Sequence, residues 1–134
     1  MEQGGVVIAS VLVGHDGHRG RLVGERARET FEALLEVDPS SHWAHFALAE
    51  SLQRETLRSV HRRWSDTESL GVKKGPFFVL VGAYMPCALV ETGFLTNQQE
   101  SSRLGTVAYQ EALGDGIARG ILSFLASGEA NSNL

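Results

Sequence analysis

Glu91 is the first residue whose position suggests chemistry. Two short apolar runs, Phe77–Val81 and Cys87–Val90, follow each other in the chain, and the link between them ends with Met85-Pro86. Glu91 directly follows the later run. Short apolar runs bounded by Gly and Pro are typical of buried strands in an α/β sheet. Ligands of such sheets bind at the carboxyl ends of the strands. A charged side chain at the end of a buried strand costs free energy unless it is solvated, paired with another charge or needed for function. Glu91 is therefore the first candidate functional residue.

The histidines are the candidate metal ligands. His42 and His45 form an H-x-x-H pair near a helix start, close enough on one helix face to share a metal ion. Two solvated histidines in a first helical turn are the alternative, and we favour it. His15 lies in a Gly-His loop after the first apolar run, where it is either a zinc ligand or an ordinary loop histidine. The other two have no partner in the sequence: His18 and His61.

Length and composition indicate one globular domain over residues 1–134. The chain is 43% hydrophobic and 21% charged, and its formal net charge of −4 argues against a nucleic-acid partner. No apolar segment approaches the roughly 20 residues that span a bilayer, so we expect no membrane span. The start of the chain carries Glu2 and no preceding basic residue, which is a poor signal peptide. The single Cys87 cannot form an internal disulfide and is expected to be a buried small side chain.

The remaining elements are read from apolar periodicity and from capping residues. The patterns predict a strand at Val6–Val13, a helix at Leu22–Val37, a long helix at about Ser41–Trp64, a short helix opened by Asn97 and a last helix capped by Thr106. With the two central apolar runs as strands, the order indicates an α/β fold, a small layered domain with a central mixed sheet flanked by helices.

Two faces of the predicted helices bear on packing. The long helix is expected to expose one charged side, formed by Arg54, Glu55, Arg58 and Arg62. The last helix contains three glycines that would allow close packing on the sheet: Gly114, Gly116 and Gly120.

Several linked motifs carry a family resemblance over residues 41–124, whereas residues 1–40 are divergent. They are Gly71-Val72-Lys73, Phe77–Leu80, Met85-Pro86, Leu89-Val90-Glu91, Gly93-Phe94 and Thr96-Asn97, preceded by Ser51–Leu57 in the long helix. In this order they resemble the C-terminal half of the catalytic domain of the zinc-dependent N-acetylmuramoyl-L-alanine amidases.

The resemblance implies a peptidoglycan hydrolase of the periplasm or cell envelope. Such enzymes cleave the amide between the lactyl group of muramic acid and the first L-alanine of the stem peptide. The implied cofactor is Zn²⁺, the implied partner is peptidoglycan, and an activator protein is an optional further partner. Glu91 would be the catalytic glutamate beside the zinc-bound water, taking a proton from it and delivering the proton to the leaving amine.

The metal ligands that the family would supply are not evident in this chain. It contains no S-I-H-x-N segment, and the loop around His15 lacks the paired glycines of the family's GHGG-type loop. One interpretation is a truncated or divergent amidase that keeps the catalytic glutamate without the metal site. The alternatives are a metal site rebuilt from His15, His18, His42 and His45, or a non-catalytic module that binds cell-wall material or a protein partner.

Overall fold

The computed structural model describes residues 7–9, 29, 32–33, 36–37, 42–74, 77–80 and 85–128. Helices dominate these residues: α1 is His42–Val60, α2 is Gln98–Leu104 and α3 is Val107–Ala126. The other elements are three residues long each: strand β1 at Val7–Ala9, a 3-10 helix at Phe78–Leu80 and strand β2 at Leu89–Glu91. The long, short and last helices therefore lie where the sequence predicts them. Of the helix predicted at Leu22–Val37, most lies outside the described residues.

The predicted central mixed sheet flanked by helices is wrong. In the described part of the chain, β1 and β2 form only a two-stranded antiparallel pair, with Val7 opposite Glu91 and Ala9 opposite Leu89. Within the run predicted as a strand at Phe77–Val81, residues Phe78–Leu80 instead form the 3-10 helix, and the N–H of Leu80 donates to the carbonyl of Phe77 at 3.0 Å. A local bond of this kind satisfies the backbone without a neighbouring strand.

The core lies between α1 and α3. One cluster joins the first half of α1 to the end of α3, and a second joins the end of α1 to the start of α3. Phe124 is fully buried in the first cluster, and Val60 and Tyr109 are buried in the second. Trp64, just beyond α1, packs edge-on against the Tyr109 ring at a centroid distance of 4.9 Å. The two helices therefore form the framework on which the other described segments rest.

Two glycines of α3 set the distance between these helices. A Cβ atom at Gly116 would lie 2.5 Å from the Cα of Thr56, and one at Gly120 would lie 2.6 Å from the Cα of Leu52. Only a residue without a side chain fits at such distances. The glycines do permit close packing, as the sequence indicates, but against the backbone of α1 rather than against a sheet.

This close approach also corrects the predicted charged side of α1. Glu55 is buried, with only 8% of its surface exposed, because α3 covers it. Its carboxylate accepts hydrogen bonds from Arg54 and Arg58, each at 3.2 Å. Burying a carboxylate is costly unless it is paired, and the two arginines supply that pairing from the exposed side of the helix.

Candidate functional site

Glu91 is the last residue of β2, and the strand's geometry points its side chain away from the core. Val90 packs against the first core cluster, whereas Glu91 is exposed. Successive side chains of a strand point to opposite faces, so the packing of Val90 against the core places the neighbouring carboxylate in solvent. The strand position predicted for Glu91 is confirmed, but the expected burial of the strand on both faces is not, since Leu89 and Val90 are each half-buried. Glu91 is thus an accessible carboxylate on a short paired strand.

The chain before Glu91 is attached to α1 through His45. The backbone N–H of Cys87 donates to Nδ1 of His45 at 3.0 Å, which joins two residues 42 positions apart in the sequence. Ala88, next along the chain, is buried in the first core cluster. These contacts fix the approach to β2 against the first turns of α1.

The half-buried thiol of Cys87 lies 3.7 Å from the same Nδ1 atom. Burial raises the pKa of this thiol above its ordinary value. The thiol is therefore held in its protonated form near neutral pH, which fits a packing role better than a nucleophilic one.

The chain after Glu91 is attached to α2. Gly93 has φ +147°, a conformation that side chains disfavour, and the next residue, Phe94, donates its N–H to the carboxylate of Glu100 at 2.6 Å. Asn97 caps α2 as predicted, since its Oδ1 accepts from the N–H groups of Gln99 and Glu100 at 3.0 and 3.2 Å. The backbone is therefore anchored on both sides of Glu91, and this is what a positioned catalytic group requires.

The described residues do not provide a metal site. No group of three or more His, Cys, Asp or Glu side chains in residues 42–74, 77–80 and 85–128, or in the short described pieces before them, could hold a metal ion. Nδ1 of His45 is occupied by the backbone of Cys87, since it lies 3.0 Å from the Cys87 nitrogen and 3.3 Å from the Cys87 carbonyl oxygen. The H-x-x-H prediction is therefore not supported at His45. Nε2 of His61 donates to the carbonyl of Thr67 at 2.7 Å, and among the described residues His61 belongs to no group of three candidate ligands.

The other predicted ligands lie outside the part of the chain that the structure describes. His15 and His18 lie outside the described residues, and so does the side chain of His42, although its backbone begins α1. The residues that the structure describes thus do not fit a zinc centre by themselves.

An aromatic cluster at the start of α1 was not predicted from the sequence. The rings of Trp43 and Phe46 lie 6.0 Å apart, centre to centre, and Nζ of Lys74 lies 5.8 Å from the centre of the Phe46 ring. Trp43 is 54% exposed. The i, i+3 spacing of the two rings is the sequence signal that could have revealed the pair.

Comparison with known proteins decides the family. The family model described as N-acetylmuramoyl-L-alanine amidase matches residues 16–123, which is most of the chain and includes both anchors of Glu91. The chain belongs to this family. The resemblance found in the sequence motifs is thereby confirmed at the level of the family. No solved structure matches the chain significantly.

Individual amidases are similar over about half of the chain. The N-acetylmuramoyl-L-alanine amidase AmiA of Salmonella typhimurium is 35% identical over 68 residues, which are 51% of this chain and 22% of AmiA. The amidase LytC of Bacillus subtilis is 32% identical over 77 residues, which are 58% of this chain and 14% of LytC. The uncharacterized protein YqiI of Bacillus subtilis is 35% identical over 77 residues and is covered over 35% of its length. The chain thus spans about a third or less of these relatives.

Proposed function

We propose that this chain acts in the hydrolysis of peptidoglycan, at the amide between N-acetylmuramic acid and the L-alanine of the stem peptide. The observation that carries the proposal is the exposed carboxylate of Glu91, anchored on both sides within the segment that matches the amidase family. The site of action would be the periplasm or cell envelope, where peptidoglycan is found. An activator protein remains an optional partner.

In this proposal Glu91 carries the proton transfers. Water attacks the amide carbonyl while Glu91 accepts its proton, and Glu91 then delivers that proton to the nitrogen as the carbon–nitrogen bond breaks. The products are a free lactyl carboxylate on the sugar and a free amino terminus on L-alanine. The exposure of Glu91 supports this role, because a general base must come within hydrogen-bond reach of the water that it activates.

The reaction would require zinc, as the family's enzymes do. His15 stays the candidate ligand from this chain, and it lies outside the described residues. Metal analysis by mass spectrometry, on the purified chain and on a His15→Ala variant, tests this directly. Stoichiometric zinc in the parent and less in the variant supports a role for His15, whereas equal zinc in both excludes it.

A second candidate is a non-catalytic module of the amidase family that binds cell-wall material or a protein partner. The observation that favours it is that the described residues contain no group able to hold a metal ion. In that case the chain would be a divergent form that keeps the glutamate but not the reaction.

The two candidates are separated by incubating the purified chain with sacculi, with and without added zinc. Mass spectrometry of the soluble fraction detects stem peptides that begin with a free L-alanine. Release of these peptides establishes the amidase. Sedimentation of the intact protein with sacculi, without any release in either condition, establishes the binding module and excludes the enzyme.

A further inference from the structure

The aromatic cluster at the start of α1 forms an exposed surface, which we call the aromatic ledge: Trp43, Phe46 and Lys74. The two rings are tilted by 38° and stand on one face of the helix, while the Lys74 ammonium lies over the Phe46 ring within the range of a cation–π contact. Phe46 is half-buried and so fixes the ledge to the protein, whereas Trp43 presents over half of its surface to solvent.

An exposed tryptophan of this kind matches the chemistry of a sugar ring. Tryptophan is mostly buried on average, and an exposed apolar surface rimmed by charge marks a binding site more often than a plain surface does. A pyranose ring has an apolar C–H face and a polar hydroxyl rim. The indole offers an apolar face with an N–H donor at its edge and so complements both parts.

The positive charge at the ledge indicates which kind of sugar would bind there. Lys73 and Lys74 are consecutive and both exposed, in a chain whose formal net charge is −4. The Lys74 ammonium beside the aromatic surface, with a second exposed lysine next to it in the chain, favours a sugar that carries a carboxylate. N-acetylglucosamine is neutral. In N-acetylmuramic acid with its peptide attached, the lactyl carboxyl group forms the amide bond to L-alanine and carries no charge. After hydrolysis of that amide the lactyl carboxylate is free.

We propose that the aromatic ledge binds the peptide-free N-acetylmuramic acid unit, with the sugar ring on Trp43 and the lactyl carboxylate at Lys74. This inference rests on the proposed amidase function, because that reaction produces such a unit. The ledge would then hold the glycan strand from which the peptide has been removed, and would keep the protein on that strand between successive cleavages.

The position of the ledge is consistent with such a role. Trp43 and His45 are two residues apart, about 3 Å along the helix axis. Since His45 holds the Cys87 backbone, and Cys87 precedes Glu91 by four residues, the ledge and Glu91 belong to the same end of α1. Four extended residues span at most about 14 Å. A glycan strand, which repeats over several sugars, extends far enough to contact both.

The experiment compares two ligands that differ only in the lactyl group, N-acetylmuramic acid and N-acetylglucosamine, and requires no hydrolysis. Ligand-observed NMR measures their binding to the full chain. The emission of Trp43, in a Trp64→Phe background that keeps an aromatic ring against Tyr109, reports whether the sugar lies on the ledge. We expect N-acetylmuramic acid to bind more tightly and to change the Trp43 emission.

Variants then assign the two contacts. Trp43→Ala should abolish binding of both sugars. Lys74→Gln should lower the affinity for N-acetylmuramic acid by about two- to fivefold, the usual contribution of an exposed ion pair, and leave the affinity for N-acetylglucosamine unchanged. Leu122→Ala, at an exposed apolar position on α3, is the matched control and should bind as the parent does. Circular dichroism spectra check that each variant is folded.

Equal affinity for the two sugars, or unchanged binding in the folded Trp43→Ala variant, overturns the proposal. These outcomes are independent of peptide release from sacculi. If the chain releases stem peptides but binds neither sugar, the proposed role of the aromatic ledge is wrong and the proposed amidase function stands. If the chain binds the sugar but releases no peptides, the aromatic ledge is a cell-wall binding site of the non-catalytic module.

Discussion

Gly116 of α3 lies against the backbone of Thr56 in α1, at a distance that leaves no room for a methyl group. A Cβ atom there would be 2.5 Å from the Thr56 Cα and 3.0 Å from the carbonyl oxygen of Glu55. Backbone atoms in the middle of a helix cannot move aside without displacing the whole helix. The packing of α1 on α3, which supports the segment around Glu91, therefore depends on this glycine.

Gly116→Ala should lower the free energy of unfolding by about 1–3 kcal/mol, the usual cost of overpacking a core. Urea unfolding followed by circular dichroism measures the change. Gly114→Ala is the matched control on the same helix, because nothing lies within 4 Å of its added Cβ. The control should gain up to about 1 kcal/mol through helix propensity. A Gly116→Ala variant as stable as Gly114→Ala would contradict the close helix packing.

The hydrogen bond between Cys87 and His45 predicts a second stability difference. His45→Ala leaves the Cys87 N–H without its acceptor, whereas His45→Asn places an amide oxygen near the former position of Nδ1. The alanine variant should be about 1 kcal/mol less stable than the asparagine variant, the usual net contribution of one hydrogen bond. Amide hydrogen exchange at Cys87 should also be faster in His45→Ala. Equal exchange rates in the two variants would mean that His45 does not hold this segment.

The ion pair between Asp66 and Arg103 predicts a pH dependence of stability. The Arg103 guanidinium, 2.6 Å from Oδ2 of Asp66, holds the pKa of that carboxyl below its ordinary value of about 3.9. Because the pKa is lower in the folded state, the contribution of the pair is fully present above the unfolded value. It is lost as the pH falls through the folded value.

Asp66→Asn should therefore be less stable than the parent at neutral pH and equally stable in acid below both pKa values. Urea unfolding at a series of pH values measures the difference, and Glu68→Gln in the same exposed loop serves as control. Since both charges of the pair are near the surface, added salt should reduce the difference. A difference that stays constant down to the lowest pH would contradict the ion pair.

The helices were predictable from the sequence because their signals are local. Asn97 and Thr106 each accept a hydrogen bond from the first turn of the helix that follows, as their side chains and spacing indicate. The burial of Tyr109, Leu113 and Phe124 follows from their spacing on one helix face.

The contacts between distant segments were not predictable in the same way. The apolar residues Phe77–Leu80 suit either a buried strand or a 3-10 helix, and the choice depends on whether a neighbouring strand pairs with them. The burial of Glu55 depends on how closely Gly116, on another helix, approaches its backbone. The bond from Cys87 to His45 joins residues 42 positions apart, a separation for which no periodic pattern exists.

The position of Glu91 could be predicted, but its surroundings could not. The end of an apolar run correctly located it at the end of a strand, and the adjoining motifs identified the family. Its two anchors, through His45 and through Glu100, are seen only in three dimensions. The assignment of Glu91 as the catalytic group stays a prediction.

The release of stem peptides from sacculi by Glu91→Gln, compared with the parent chain in the presence of zinc, tests that assignment most directly. Since Glu91 is exposed and the amide has the same shape, the variant should unfold at the same urea concentration as the parent. Its rate of peptide release should fall by about 10²–10⁴-fold, the usual contribution of a general acid–base group. Glu111→Gln, at an exposed position on α3, should release peptides at the parent rate. Peptide release by Glu91→Gln at the parent rate would contradict the account.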